Sequence, residues 1–389
     1  MQITNVIDTL DQDRVRNTLQ QPIILAKNVE LLLGINDIPL LYVGEHRNYV
    51  RLNKLGADII KQLQANPETL TRQDLANALS TRYPGQEVQI AQKLPQFLQQ
   101  LHNARAITLP GAEVKHLPWG KRVLTALVRR PLLRLPLWRP NRPVAYALVR
   151  RVQFIANDVT STLFGLWLMA ALLIVGVTDV QASSTVHLEH VFWPLFVGAF
   201  LLHLTIHEFC HTLVSSYYKV KIREIGVALL YYILPVAYTD RTDGYRLRDP
   251  KERIRISLAG PAFDISAAAL SALLINMTDG WVSTTFRALL LLQTTTFISN
   301  LNPLMPSDGY HALEAAVGGV NFRRRAVEIF LHRITFRPLP AYLRDLTPRQ
   351  CMMHFIYALF MLAYIGLLVF IVTLMVFHIV NSIVGALHL

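Results

Sequence analysis

The chain has 389 residues, 52% of them hydrophobic and only 16% charged, with a mean hydropathy of +0.32 and a formal net charge of +12. That balance fits a membrane protein of two or three domains and excludes a small disulfide-stapled secreted fold, since Cys210 and Cys351 are the only cysteines. It argues against a nucleic-acid binder, because the basic residues gather beside apolar runs rather than on a reader motif.

The first 25 residues mix acids and amides without an apolar core of signal-peptide length, so residues 1–28 are expected as a cytosolic N-terminal extension. Residues 29–110 read as a small soluble domain. Ile38–Val43 and Asn48–Leu52 are β-prone runs joined by a hairpin at Gly44-Glu45-His46-Arg47. Gly56–Gln64 reads as a helix, and Thr71-x-x-Asp74 opens a second with capping-box spacing. Ile90, Leu94, Phe97, Leu98 and Leu101 recur at helical spacing between Val88 and Asn103. Two strands followed by three helices is a winged-helix order. With the phrase Tyr49-Val-Arg-Leu-Asn53-x-x-Gly56, it resembles the PqqD-like domains that recognise leader peptides in pathways making ribosomal, modified peptides. The resemblance implies a peptide added as a strand to the sheet. A packing module or a DNA binder is the alternative, and no basic recognition helix supports the latter.

Residues 111–156 change character. Pro118, Pro131, Pro136, Pro140 and Pro143 interrupt them, and Lys115–Arg151 holds ten Lys or Arg and no acid, interleaved with Leu and Trp. A basic interfacial linker on anionic lipid is expected; a nucleic-acid patch of Arg and Trp is the alternative. Residues 157–389 then carry five apolar runs long enough to span, at about Val159–Thr178, Val191–Tyr217, Ile256–Met277, Thr284–Met305 and Met353–Val380. The loop Asp179–His190 has no Lys or Arg, Lys219–Arg255 has nine, and Arg323–Arg349 has seven. The positive-inside rule sets an in-out-in-out-in-out path with a cytosolic N-terminus. The expected fold is therefore mostly α: a polytopic membrane protein with about five transmembrane helices, preceded by a small winged-helix-like α+β cytosolic domain.

The second run holds His207-Glu208-x-x-His211. On a helix the two imidazoles leave the same face one turn apart and can grip one metal ion, with Glu208 beside it as general base. Ionisable groups are costly inside lipid, which favours a functional role over chance. Tetrahedral zinc also needs a third protein ligand and an open position for water. Asp308 fits best, at the cytosolic end of the fourth run, where Pro303 and Pro306 break the helix and Gly309 allows a turn. A plain helix exit is the alternative use of that segment. His203, Cys210 and His311 are weaker candidates, each with a packing reading. Gly226–Tyr238 reads as either a re-entrant hairpin whose edge holds substrate or an interfacial loop.

His207-Glu208-x-x-His211, the segment Asn300-x-x-Pro303-x-x-Pro306-x-Asp308-Gly309 and Ser257-Leu-Ala-Gly-Pro261 between them resemble the site-2 protease family of intramembrane zinc metalloproteases over about Val159–Glu314. Within it the chain resembles peptide zinc metalloproteases that carry a PqqD-like domain. The resemblance implies Zn2+ held by His207, His211 and Asp308, Glu208 as catalytic base and Asn300 assisting the oxyanion. Asp264 stands where many members have Asn, and Asn302 replaces an apolar residue; neither receives a catalytic part.

These readings point to a zinc-dependent intramembrane endopeptidase (residues 157–389) that matures a modified peptide, with the 29–110 domain binding its leader. The bilayer and a peptide exporter are the expected partners, in a bacterial inner or plasma membrane. Two alternatives stay open: a regulatory protease cutting a single-span membrane protein, and a non-catalytic peptide receptor with a structural metal site.

Overall fold

A computed structural model of the chain describes residues 21–44, 48–67, 69–85, 87–109, 132–139, 158–182, 188–230, 234–340, 343 and 346–387. The chain divides into two compact units. One comprises Met1–Pro136, Val227–Val236 and Asp240–Asp249; the other comprises Leu137–Gly226, Ala237–Thr239 and Pro250–Leu389.

In the first unit, strands β1 (Ile24–Leu25), β2 (Val29–Leu33), β3 (Pro39–Val43) and β4 (Asn48–Arg51) precede helices α1 (Lys54–Ala65), α2 (Arg72–Arg82) and α3 (Glu87–Asn103). Strand β5 (Ile107–Thr108) then returns to pair with β1. Strands β2, β3 and β4 form an antiparallel sheet in that order, placing Leu41 opposite Leu31 and Val50. Period-two alternation turns Val29, Leu31, Leu41 and Val43 toward the helices, where they join a core with Ile60, Leu63, Leu75, Leu79 and Leu98. Helix α2 opens on the expected capping box: the Thr71 hydroxyl accepts from the Asp74 N–H at 3.2 Å, and the Asp74 carboxylate accepts from the Thr71 N–H at 3.1 Å. Those bonds from Thr71 hold the Asp74 carboxyl below the usual carboxylate range.

Strand β2 corrects the sequence reading, which had two strands before the helices. After Val29, the strand carries only a glutamate and three leucines, none β-branched or aromatic, and pairing with β3 overrides that weak local preference. The hairpin residues 45–47 lie outside the described residues.

The sheet's other face presents a row of Glu30, Tyr42 and Tyr49, paired in register across the three strands. Asp240–Asp249, in the same compact unit, covers it. Tyr49 Oη donates to Asp243 Oδ1 at 2.8 Å and accepts from Arg246 Nε at 2.8 Å, while Arg246 reaches Glu30 Oε2 at 2.9 Å and lies 5.0 Å over the Tyr42 ring. Burial, then the neighbouring Asp243 charge, pushes the Tyr49 hydroxyl well above its usual range, so it remains a donor at physiological pH. Tyr49→Phe removes two buried hydrogen bonds and is expected to lower the local opening free energy by about 1–3 kcal/mol. The measurement is faster amide exchange in Asn48–Arg51 and Thr242–Arg246; unchanged protection there would contradict this account.

Downstream come β6 (Leu132–Trp138), α4 (Asp158–Ala182), α5 (Trp193–Tyr217), β7 (Ile225–Leu230), β8 (Leu234–Thr239), α6 (Pro250–Met277), α7 (Gly280–Leu301), α8 (Asp308–Ala316), α9 (Phe322–Ile334) and α10 (Pro348–Leu387). Strands β6, β7 and β8 form a sheet in that order. One expectation changes here: residues 132–138, assigned to the basic linker, are a strand. The apolar segment Gly226–Tyr238 supplies two neighbouring strands, in keeping with the hairpin alternative rather than the interfacial loop. The rest of the linker, residues 111–131 and 140–157, lies outside the described residues.

Helix α6 is the hub of the second unit, packing against α4, α5, α7 and α8. Half of its most apolar window is buried, against 11% for α5 and 6% for α10. Its Ala268, Ala269 and Ala272 meet Ala171 of α4 and Leu290 of α7, and small side chains of this kind let helix axes approach closely in lipid.

Among the described residues three helices are long and apolar enough to cross a membrane: α5, α6 and the Pro348–Ser382 part of α10. Two of the five expected runs fall short of that measure among the described residues. The first expected run is a 25-residue helix whose described apolar part is the shorter Thr162–Thr178. The fourth, α7, has 22 residues but carries Arg287, Gln293 and several threonines. Four of those hydroxyls are satisfied within the helix, Thr284 to the Gly280 carbonyl, Thr285 to Trp281, Thr295 to Leu291 and Thr296 to Leu292.

Candidate metal centre

The site begins on α5. Apolar residues continue around this helix, and its buried side chains include His203, His207, His211 and Ser215, which recur every fourth position on the face turned inward. Imidazoles are tolerated there because α6 supplies acceptors. His207 Nδ1 lies 2.7 Å from Asp264 Oδ1, and His211 Nδ1 lies 2.7 Å from the Ile256 carbonyl. A carboxylate and a carbonyl accept, so each Nδ1 carries a hydrogen, and a ring held this way in its neutral form turns an Nε2 lone pair to the same point.

The third donor comes from the break after α7. Asn302 caps that helix, and its Oδ1 accepts from the Leu304 N–H at 2.9 Å, turning the chain through Pro303 and Pro306. Tyr357 of α10 donates to the Pro303 carbonyl at 2.9 Å and pins the turn. Ser307 then caps α8, accepting from the Tyr310 N–H at 3.3 Å, which leaves Asp308 as the first helical residue and buried. Gly309 is required by close approach: a Cβ there would stand 2.1 Å from the Leu301 carbonyl oxygen.

Asp308 Oδ2 lies 3.2 Å from His207 Nε2 and 3.0 Å from His211 Nε2, and the two Nε2 atoms are 3.2 Å apart. With both Nε2 atoms unprotonated, three electron-pair donors facing one another at this range repel unless a cation lies among them. Tetrahedral zinc with ligands at roughly 2.0–2.1 Å sets its donors about 3.3 Å apart, so the spacing fits the ion. Gly260 of α6 shapes the same space: a Cβ there would stand 2.4 Å from Nε2 of both histidines.

Glu208 sits half-buried between the two histidines. Its backbone carbonyl accepts from the Thr212 hydroxyl at 3.0 Å and from Thr239, the last residue of β8, at 3.3 Å. Asn300, at the end of α7, donates through Nδ2 to Asp264 Oδ2 at 3.0 Å. His203 Nε2 approaches Asp264 Oδ1 at 3.0 Å, so it reaches the site's carboxylate. His311 is nearly half exposed and stands 4.0 Å from Glu314, away from the three donors. Cys210 is a half-buried free thiol outside the donor cluster.

Sequence reasoning passed over two residues that shape this centre. Gly260 was visible only as part of a motif, and Asp264 had been given no part. Asp264 is fully buried and meets His203, His207 and Asn300. An ionisable residue inside an apolar run was the available signal.

Residues 195–280 match the family described as Peptidase family M50, the site-2 protease family, and residues 40–107 match Coenzyme PQQ synthesis protein D (PqqD). These matches carry the two likenesses read from the sequence. The first takes in His207, Glu208, His211, Gly260 and Asp264, while Asn300 and Asp308 lie beyond it. Over 128 residues the chain is 27% identical to "Putative peptide zinc metalloprotease protein YydH" of Bacillus subtilis (strain 168). That stretch covers 32% of this chain and 48% of the relative, so the match spans about half of the relative's length. No solved structure matches the chain.

Proposed function

We propose that the chain is a zinc-dependent endopeptidase of the membrane, hydrolysing a peptide bond near the cytosolic face and maturing a ribosomally made, modified peptide. The observation that carries this reading is the convergence of His207, His211 and Asp308, with donor atoms 3.0–3.2 Å apart in a buried site. These three residues would hold Zn2+, which when bound supplies Lewis acidity to the scissile carbonyl and to the attacking water. Glu208 takes the proton from that water and passes it to the leaving nitrogen. Asn300 spends one amide hydrogen on Asp264 and keeps a second as donor for the oxyanion.

Substrate would lie extended along β8, an outer strand whose last residue is bonded to the Glu208 backbone. A helical substrate must unwind before this can happen, because its amides are otherwise satisfied internally. The PqqD-like residues 29–110 would hold the leader on the cytosolic side. Asp240–Asp249 covers the outer face of their sheet, which favours strand addition at an edge over docking on that face. Residues 111–156 would rest on anionic lipid and residues 157–389 form the hydrolytic domain, with five segments in a bacterial inner or plasma membrane and a peptide exporter as partner.

The test is zinc content and cleavage of a leader-bearing reporter by the purified full chain and by His207→Ala. Wild type is expected to retain zinc and cut the reporter; the variant should do neither. A wild type without zinc, or a variant indistinguishable from it, overturns the reading. A leader-free single-span reporter cut equally well would move the substrate to membrane-protein regulation.

A further inference from the structure

The histidine face of α5 meets one carboxylate that the proposed hydrolysis does not use. Asp264 is 0% exposed on the central helix, at a depth where an ionised carboxylate survives only if its oxygens are occupied. Both are. Oδ1 lies 2.7 Å from His207 Nδ1 and 3.0 Å from His203 Nε2, and Oδ2 lies 3.0 Å from Asn300 Nδ2. One side chain thus gathers two turns of α5 and the end of α7 around α6. The matching bond on the other ligand, His211 Nδ1 to the Ile256 carbonyl at 2.7 Å, goes to uncharged backbone. The two metal-facing rings are therefore held differently, one by a full negative charge and one by a dipole.

We propose that Asp264 is the positioning residue of the metal centre: it fixes His207 in the tautomer and orientation that present Nε2 to the ion, and Asn300 and His203 in turn hold Asp264 in place. This inference rests on the zinc reading above. Its physical basis is general, since a carboxylate receiving the far N–H of a ligand histidine raises the basicity of the coordinating nitrogen and stops the ring rotating. The polarity of the arrangement explains why an amide at this position is not equivalent. An asparagine that keeps its oxygen toward His207 turns its NH2 toward Asn300, which must then flip its amide to accept through Oδ1, and the full negative charge facing His207 is lost.

The test uses the detergent-solubilised full chain and measures zinc affinity by competition with a chromophoric chelator, independently of hydrolysis. Asp264→Ala is expected to weaken zinc binding by about 10–100-fold, the usual range for loss of such a partner. Asp264→Asn keeps the shape of the site and should also weaken binding, by less. The double variant Asp264→Asn with Asn300→Asp restores an amide–carboxylate pair with reversed polarity, and it should bind zinc more tightly than Asp264→Asn alone. Visible bands of the cobalt-substituted protein should shift in Asp264→Asn, which a purely packing role would leave unmoved. Zinc affinities of Asp264→Ala and Asp264→Asn within twofold of wild type, while His207→Ala has lost the metal, would overturn the proposal. If Asp264→Ala fails to fold, Asp264→Asn and the double variant decide. If wild type and His207→Ala hold the same zinc, the underlying zinc reading has failed, a different pattern from failure of the positioning role alone.

Discussion

Replacing Glu208 with glutamine is expected to leave zinc bound and to slow hydrolysis by at least about 10²–10⁴-fold, the range that general acid–base catalysis supplies. Glutamine has nearly the volume of glutamate but no useful proton affinity, so it cannot take a proton from water. The metal donors remain, because they are His207, His211 and Asp308. The local backbone also remains, because the bonds from Thr212 and Thr239 go to the Glu208 main-chain carbonyl rather than its side chain. The check is paired: zinc per chain and turnover in the same preparation. Full turnover by this variant would return the site to a structural metal in a peptide receptor.

Gly260→Ala should remove the metal without touching a donor. The added methyl would stand 2.4 Å from Nε2 of both His207 and His211, far inside any real contact. Neither ring can give way cheaply, since each is held through Nδ1 at 2.7 Å, one by Asp264 and one by the Ile256 carbonyl. The methyl occupies the space between the donors, so zinc should be lost and stability reduced by about 1–3 kcal/mol from overpacking. Gly198 on α5 is the control: a Cβ there meets nothing within 4 Å, and Gly198→Ala should keep zinc. A Gly260→Ala protein that binds zinc like wild type would contradict this account of how Gly260 shapes the centre.

Spacing alone put His207 and His211 on one helical face, and the prolines with Gly309 marked the break that delivers Asp308. Local chemistry was enough there, because helical periodicity and turn residues act over a few positions. The capping box at Thr71 was legible for the same reason. Asp264 was not: its partner His207 is 57 positions away, and nothing beside Asp264 in the chain states what it will meet. Strand β2 was missed because its pairing with β3, not its own composition, makes it a strand. The five apolar runs were legible from length and hydropathy, while α7 dilutes its apolar length with Arg287 and threonine hydroxyls bonded to its own carbonyls.

Asp240–Asp249 bears on how this protein can be taken apart. The aromatic row formed by Tyr42 and Tyr49 is sealed by a stretch encoded nearly two hundred positions later, so the folded module is not a contiguous piece of the gene. A chimera cut near residue 110 would strip those rings of their lid and present a sticky, tyrosine-rich surface. Any transplant of residues 29–110 must therefore bring along Asp240–Asp249 as a graft.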